Sequence, residues 1–338
     1  MSLKTIAEKT GVSPSTVSRV LNGTAKISDA VRARVFDVAR EVGYLDDRAR
    51  KGMQGALRSL AVAVPEALLA PSDTNYVSWT IFDGLRKAAA ERGIALQPIV
   101  SEGDKLDPKT VPVELRKMQC DGIVVFFDEN PQVLKEVARL RKPTVLLAGQ
   151  DPSMHIPSVG IGNRYGARLG TDYLLGLGHR RIGLLTWKGR YTIRQREDGY
   201  REAMEQAGAG TDVFCLSGFN PALAEQEILG LIASGRFQGL SALFCLADNV
   251  ALAAMRALAK SGYSVPGDLS ILGFDDAVAG ELTRPPLSTV HAPLLHIGPA
   301  ALDELEHQYR NNRTGQPVRR IELGCSLAIR DSCKEYAA

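Results

Sequence analysis

The stretch LKTIAEKTGVSPSTVSRVLN, residues 3–22, predicts two short helices joined by a tight turn. Gly11 is the small residue that such a turn needs where the backbone takes a positive φ. Ser13 is a favourable N-cap for the second helix, and Pro14 suits its first position because the missing N–H costs nothing there. Apolar residues recur at helical spacing on both sides of the turn. The stretch therefore predicts a helix-turn-helix.

The second predicted helix, Pro14 to Leu21, has an apolar inner face and a polar outer face. Its outer residues are short hydroxyl side chains and one arginine, which suit phosphates and base edges of DNA. An ordinary polar surface helix is the alternative. The DNA-binding interpretation predicts contacts from Thr5, Ser13, Pro14, Ser15, Thr16, Ser18, Arg19, Asn22 and Lys26.

Charge is distributed unevenly along the chain. Residues 1–58 contain 11 Lys and Arg against 6 Asp and Glu, a net charge of +5, whereas the other 280 residues contain 30 against 32. A third helix, capped by Ser28 and apolar from Val31 to Val42, completes a small basic head. Positive charge concentrated at one end of the chain favours a head that neutralises DNA phosphates. The alternative is a basic surface that is only solvated.

The remaining chain alternates β-branched runs with helical segments, the pattern of layered parallel α/β structure. With 338 residues and 45% hydrophobic content, two or three domains with sizeable cores are expected. The predicted strands are 60–64, 95–100, 122–127, 144–147, 182–185, 213–216, 242–246 and 270–273. The predicted helices are 80–92, 112–118, 131–139, 164–177, 197–207, 222–233 and 250–261. Two such doubly wound units in tandem place their carboxyl strand ends around one crevice, where ligands bind.

Several classes of protein are disfavoured by what the sequence lacks. No apolar run reaches the ~18 residues of a membrane span, and the helix-turn-helix begins without a signal peptide, so we expect a cytoplasmic protein associated with the nucleoid. The five cysteines have no paired spacing, which predicts reduced thiols. Histidine and cysteine form no ligand cluster, so we expect no metal and no cofactor.

An enzyme is the second functional class to consider. The run GIGNRYG, residues 160–166, resembles a dinucleotide-binding glycine motif with one residue too many and no acidic partner. No GxSxG, SxxK or GxxxxGK[ST] sequence occurs, and Asp275 and Asp276 have no accompanying nucleophile. We therefore predict no catalytic residues. A third class, an architectural DNA protein without a ligand, would leave some 280 residues unexplained.

The chain resembles the LacI/GalR family of bacterial repressors. The resemblance begins with TVSRVLNG, residues 16–23, and the VGY that closes the head at Tyr44. It continues to nearly the C-terminus in the family's order, with DGIVV at 121–125, GHRRIGLL at 178–185, GFDD at 273–276 and PPLSTV at 285–290.

The resemblance implies a particular architecture. It combines an all-α helix-turn-helix headpiece with an α/β body of two doubly wound parallel-sheet subdomains, like a periplasmic binding protein. The expected headpiece with its hinge is residues 1–57, the hinge itself being about 45–57, and the body is residues 58–338. The expected N-subdomain is about 58–160 and 290–321, and the C-subdomain is about 161–287 and 324–338. Three crossings are expected near 159–163, 287–290 and 321–326.

The hinge of this family folds on the operator and inserts an apolar side chain into the minor groove. Met53 takes the position of the family's usual leucine, and Arg50 is a further expected DNA contact. The sequence departs from the family pattern at Asp46, Asp47 and Gly52. The two acidic groups repel phosphates, and the glycine weakens the helix by about 1 kcal/mol. A flexible tether is the alternative for this segment.

The resemblance also places an effector site between the two subdomains. Arg196 matches the family's effector-contacting arginine, Arg190 and Thr192 match contacts of the purine-sensing member, and Asp275 matches the acidic residue that bonds ligand hydroxyls or amines. The complete expected set is Asn75, Ser78, Phe126, Trp187, Arg190, Thr192, Arg196, Ala247 and Asp275. Polar positions of the family are lost at Ala148, Gly162 and Ala247.

The expected function is a sequence-specific, dimeric repressor that binds an inverted repeat of double-stranded DNA. Its operator affinity is expected to depend on a small hydroxylated metabolite, a sugar or sugar derivative. The alternatives are a regulator that needs a purine or nucleoside corepressor and an α/β enzyme fused to a DNA-binding head. Induction is favoured over corepression because sugar-sensing members outnumber purine-sensing members in the family.

Overall fold

The computed structural model describes residues 3–21, 27–42, 57–69, 75–311 and 317–336. The chain forms two compact units, Met1–Leu57 and Arg58–Ala338. Within the described ranges, no helix is both long and apolar enough to cross a membrane.

The first unit packs its three helices around a small apolar core. They are α1 (Leu3–Thr10), α2 (Pro14–Leu21) and α3 (Asp29–Glu41). Gly11 turns the chain between α1 and α2 with φ at 69°. The core contains Ile6, Ala7, Val17, Val20, Val35, Ala39 and Val42. The buried α2 residues Val17 and Val20 are separated by three positions, so the opposite face of this helix stays outside the core.

The N-subdomain of the body is built on a six-stranded parallel sheet with the strand order β11-β5-β4-β3-β1-β2. Its strands are β1 (Ser59–Pro65), β2 (Ala95–Ser101), β3 (Gly122–Phe126), β4 (Thr144–Leu147), β5 (Ser158–Ile161) and β11 (Arg320–Leu323). A short 3₁₀ helix, Glu66–Leu68, follows β1. Its α-helices are α4 (Tyr76–Glu91), α5 (Val111–Lys117), α6 (Pro131–Arg139) and α12 (Leu294–Arg310). Strands β3 and β4 are buried along their whole length, as expected where helices cover both faces of a sheet.

The C-subdomain is built on a second six-stranded sheet with the order β12-β10-β9-β8-β6-β7. Its strands are β6 (Ile182–Trp187), β7 (Asp212–Leu216), β8 (Ala242–Cys245), β9 (Ser270–Asp275), β10 (Ser288–His291) and β12 (Ser326–Ala328). Its helices are α7 (Asn163–Gly176), α8 (Tyr191–Gln206), α9 (Pro221–Ala233), α10 (Asp248–Lys260) and α11 (Val278–Glu281). The edge strand β12 runs antiparallel to β10, whereas the other pairs are parallel.

The chain passes between the two sheets three times: after β5, after β10 and between β11 and β12. The second crossing lies later than predicted. Residues 288–291 form β10, which pairs with β9 in the C-subdomain sheet, so the chain crosses only at residues 292–293. The sequence did not predict this strand, because a run of four residues at a crossing and a strand of four residues look alike.

Several other elements differ from the sequence-based expectation, and two helices show the difference most clearly. Helix α8 begins at Tyr191 rather than at 197, which adds more than one turn. Helix α12 was not predicted, although it has 17 residues, and it contains Pro299 in its interior. Both regions carry weak helix-start signals, because neither Arg190 nor Pro293 caps its helix with a side-chain hydrogen bond.

Candidate functional site

Helix α2 presents a capped, polar face at the surface of the first unit. The Ser13 hydroxyl accepts a hydrogen bond from the backbone N–H of Thr16 over 3.1 Å, so it caps the helix as predicted. Ser13, Pro14, Ser15 and Arg19 are exposed, whereas Thr16 is half-buried. The face therefore offers hydroxyls and one guanidinium to a partner.

The other predicted DNA contacts divide into two groups. Thr5 and Ser18 are half-buried at the surface of the first unit. Four predicted contacts lie outside the described residues, as does the predicted hinge apart from Leu57, which is buried. These four are Asn22, Lys26, Arg50 and Met53.

The body contains a cavity of about 680 Å³ at the carboxyl ends of the strands of both sheets. This volume is within the usual range for small-molecule sites. Its lining combines aromatic and aliphatic side chains with a few polar groups. The polar and charged lining residues are Tyr76, Ser78, Asn163, Arg190, Thr192, Arg196, Glu225, Asp248, Asn249, Arg256 and Asp275.

Arg196 belongs to the wall of this cavity and is held by four contacts. Its Nη2 lies 2.9 Å from Oδ1 of Asp275, and its Nε donates to Oδ1 of Asn163 over 2.8 Å. Its Nη1 donates to the Leu246 carbonyl oxygen over 2.6 Å, and the guanidinium stacks 3.6 Å from the centre of the Phe274 ring. Arg196 is only 4% exposed. The arginine and Asp275 therefore form a buried ion pair, although Oδ1 of Asp275 accepts no well-oriented hydrogen bond from the described residues.

Asp248 is a second buried carboxyl group in the cavity wall. Its Oδ2 accepts from the backbone N–H of Ala277 over 2.6 Å, and its Oδ1 accepts from the Thr289 hydroxyl over 2.7 Å. Burial, with a further contribution from the charge of Asp275, raises the pKa of Asp248 to about 8. Gly273 makes room for this carboxyl group, since a Cβ there would overlap Oδ1 of Asp248.

Arg190 occupies the cavity differently from Arg196. Its guanidinium lies between two aromatic rings, 5.2 Å from the centre of Phe127 and 5.1 Å from that of Phe219. Burial, and then the charge of Arg196, lowers the pKa of Arg190. No acceptor among the described residues takes a hydrogen bond from its side chain.

Backbone strain is concentrated where strands end at the cavity. Phe127 follows β3 with φ at 48°, Ala148 follows β4 with φ at 49°, and Asp275 ends β9 with φ at 111°. All three line the cavity. Such conformations cost of order 1–3 kcal/mol each in residues other than glycine, and they cluster at functional sites.

Seven of the nine predicted effector residues line the cavity: Ser78, Trp187, Arg190, Thr192, Arg196, Ala247 and Asp275. The other two, Phe126 and Asn75, do not line it. Phe126 is 1% exposed at the end of β3, and Phe127, which follows the strand with φ at 48°, lines the cavity instead. Asn75 precedes α4, and its Nδ2 donates to the Ala67 carbonyl oxygen over 2.8 Å rather than lining the cavity.

The structure adds residues that the sequence did not single out. Tyr76, Trp79, Asn163 and Phe219 belong to the cavity wall. The sequence could have indicated Asn163, because it lies next to Gly162, where the family usually has a polar residue. Phe219 had no such signal, because it is a single aromatic residue among small and polar ones in SGFNP, residues 217–221. Among the described residues, no group of three His, Cys, Asp or Glu side chains is placed to hold a metal ion.

Two family profiles match the chain. Residues 2–47 match the bacterial regulatory proteins of the lacI family, and residues 171–333 match a periplasmic binding protein-like domain. The chain is 30% identical to the transcriptional repressor CytR of Escherichia coli K12, over 98% of this chain and 96% of that protein. It is 29% identical to the transcriptional regulator DegA of Bacillus subtilis, over 97% and 96% respectively.

Solved structures show the same architecture over nearly the whole chain. A complex of the transcriptional regulator CelR with cellobiose aligns with a TM-score of 0.70 at 27% identity, covering 98% of this chain and 99% of that one. The lac repressor dimer bound to operator and an anti-inducer aligns with a TM-score of 0.71 at 24% identity, covering 99% of both chains, and this likeness concerns the fold.

Proposed function

Because the chain belongs to the lacI family of bacterial regulatory proteins, we propose that it is a homodimeric repressor controlled by a small hydroxylated metabolite. One observation carries this proposal: a single chain joins an exposed, capped polar helix to a body with a large polar-lined cavity. It acts in the cytoplasm, on DNA of the nucleoid, and it catalyses no reaction.

The dimer follows from the size of the DNA-binding surface. One helix-turn-helix contacts only a few base pairs, so two headpieces on an inverted repeat are needed for useful specificity. Helix α2 lies in the major groove in this proposal, where Arg19 contacts a guanine edge or a phosphate in each half-site.

A sugar or sugar derivative suits the cavity because the wall combines aromatic faces with hydrogen-bonding groups. Trp187 and Phe219 pack together with ring centres 5.3 Å apart, and such faces stack on sugar rings. Ser78 and Thr192 offer hydroxyls nearby. The solved complex of CelR with cellobiose supports this ligand class.

A purine or nucleoside corepressor is the second candidate. It is favoured by the same aromatic wall, because Phe127, Trp187 and Phe219 offer π-faces to a base as readily as to a sugar. The two candidates differ in outcome, since an inducer weakens operator binding and a corepressor strengthens it.

Operator binding is tested with fluorescence anisotropy on sequences selected from the genomic region around the gene. The chain should prefer one inverted repeat over random DNA at ~150 mM salt, and Arg19→Ala should cost ~1–3 kcal/mol in this binding. Arg164→Ala is the control, because Arg164 lies in the body and pairs with Glu202. Equal affinity for random and selected DNA would refute the proposal. The predicted wedge is tested in the same assay with Met53→Asp, which should abolish specific binding.

The effector is sought by a thermal-shift screen of sugars, sugar acids, polyols and nucleosides. A compound that binds the folded chain raises its melting temperature. Each hit is then added to the operator complex, and the sign of the change in affinity separates induction from corepression.

A further inference from the structure

The charges in the body cavity do not balance. Arg196 has its counter-ion in Asp275. At the rim, Arg256 and Lys260 both pair with Glu225, at 2.7 and 2.5 Å. Arg190 is the cavity arginine for which the described residues provide no ion pair and no hydrogen-bond acceptor.

The carboxyl groups near Arg190 do not change this balance. Asp104 and Asp275 are close enough to favour its charge, yet neither forms an ion pair with it. Asp275 is already bonded to Arg196, and Asp104 is an exposed residue of the loop after β2. Burial raises the pKa of Asp248, and both of its oxygens already accept hydrogen bonds, from Ala277 and Thr289.

The surroundings of Arg190 hold its guanidinium in place without satisfying it. The rings of Phe127 and Phe219 lie about 5 Å away, so they restrict the guanidinium while leaving its N–H groups without acceptors. Arg190 is half-buried, so water reaches part of its guanidinium, and a ligand anion would replace that water with charge-assisted hydrogen bonds.

Thr192 provides a second set of donors beside Arg190. It is the second residue of α8, a helix of 16 residues, and it lines the cavity. The backbone N–H of Tyr191 is taken by Glu129, but neither the backbone N–H nor the hydroxyl of Thr192 has a partner among the described residues. The start of a helix carries a partial positive charge that favours an anion.

We propose that the ligand of this cavity carries an anionic oxygen group, a carboxylate or a phosphate, that binds Arg190 and Thr192. The inference rests on the proposed function and narrows the effector to a sugar acid, a sugar phosphate or a comparably charged hydroxylated metabolite. The paired Arg196–Asp275 then contacts the neutral, hydroxylated part of the molecule, since its own charges are already compensated.

The first experiment asks whether the anion site exists, whatever the carbon skeleton of the ligand. Inorganic phosphate is titrated against the full chain at constant ionic strength, with sodium chloride replaced in proportion, and the melting temperature is recorded. Wild type should show a saturable rise, and Arg190→Gln should lose most of it. Arg201→Gln is the matched control on the same helix, because Arg201 is an exposed residue paired with Glu197.

Equal phosphate responses in wild type and Arg190→Gln would overturn the proposal. A loss of the response in Arg201→Gln as well as in Arg190→Gln would also overturn it, because the effect would then come from general surface charge. Circular dichroism confirms that each variant is folded, and the conservative variant Arg190→Lys should retain part of the response.

The second experiment distinguishes a carboxylate ligand from a phosphate ligand. It also distinguishes failure of the anion proposal from failure of the proposed regulator function. Glucose, glucuronate and glucose 6-phosphate are compared by calorimetry, and the corresponding galactose set and adenosine with its monophosphate are compared in the same way. In whichever of these series binds, the anionic compound should bind at least about tenfold more tightly than its neutral parent. Arg190→Gln should remove this difference in affinity.

A neutral sugar or nucleoside that binds as tightly as its acid and phosphate, and that changes operator affinity, would refute the anion proposal and leave the regulator proposal intact. A chain with the Arg190-dependent phosphate response but no specific operator binding would refute the regulator proposal and leave the anion site intact.

Discussion

Asp248 is a buried carboxyl group whose protonation is coupled to folding. Its pKa is raised from the ordinary 3.8 to about 8, first by burial and then by the charge of Asp275. The folded chain therefore holds the proton more tightly than the unfolded chain does. The free energy of unfolding should fall as the pH rises between about 4 and about 8.

Replacement of Asp248 by Asn should remove this dependence, because an amide keeps both hydrogen bonds, accepting from Ala277 and donating to Thr289. We expect the melting temperature of Asp248→Asn to exceed that of wild type by an amount that grows from pH 5 to pH 8. Thermal melts at pH 5, 6.5 and 8 measure it. A difference that stays constant over this range would contradict the assignment.

Arg196 has a structural role that limits its use as a probe of ligand binding. Arg196→Ala leaves Asp275 buried without its counter-ion, and breaking one partner of such a pair typically costs 3–5 kcal/mol. We therefore expect a large drop in the free energy of unfolding, measured by urea denaturation. The double variant Arg196→Ala, Asp275→Asn should recover part of the loss. An unchanged urea midpoint in the single variant would show that the pair does not stabilise the fold.

Helices α7 and α8 pack closely enough to place Arg196 beside Asn163. Gly199 allows this approach, because a Cβ there would overlap the Arg164 carbonyl oxygen. Gly199→Ala should force the helices apart and lower the free energy of unfolding by about 1–3 kcal/mol, the usual cost of overpacking. Gly230→Ala in α9 is the matched control, since a Cβ there has no neighbour within 4 Å and alanine favours a helix. Equal effects of the two substitutions in urea denaturation would contradict this role.

Glu129 connects the two halves of the body. It follows β3 in the N-subdomain, and its carboxylate accepts from the backbone N–H of Tyr191 and pairs with Arg194, both in the C-subdomain, the latter at 2.5 Å. It therefore caps α8 across the cleft, beside Arg190. Tyr76 adds a second contact between the halves, donating from its hydroxyl to the Asp276 carbonyl oxygen over 3.4 Å.

Loss of this connection should favour separation of the two subdomains and weaken ligand binding. We expect Glu129→Ala to reduce the affinity for the effector, or for phosphate as its surrogate, by about two- to tenfold. Without the Glu129 contacts, part of the binding free energy of the ligand is used to bring the two subdomains together. Arg194→Ala removes only the exposed ion pair, so its effect should be smaller. Calorimetry measures the ligand affinity of both variants. A larger loss of affinity in Arg194→Ala than in Glu129→Ala would contradict this role of Glu129.

Local signals in the sequence predicted the helix-turn-helix, its Ser13 cap and most of the strands, because caps and hydrophobic periodicity act over a few residues. The resemblance predicted that Arg196 and Asp275 lie together at the crevice. Pairing between distant segments was not predictable: β10 and β12 meet only through the crossings, and Arg190 lies between rings contributed by β3 of one subdomain and the α9 side of the other. The choice of Phe127 over Phe126 depends on where β3 ends and on the left-handed backbone that follows it, and the raised pKa of Asp248 depends on burial. Both arise only once the two sheets have packed.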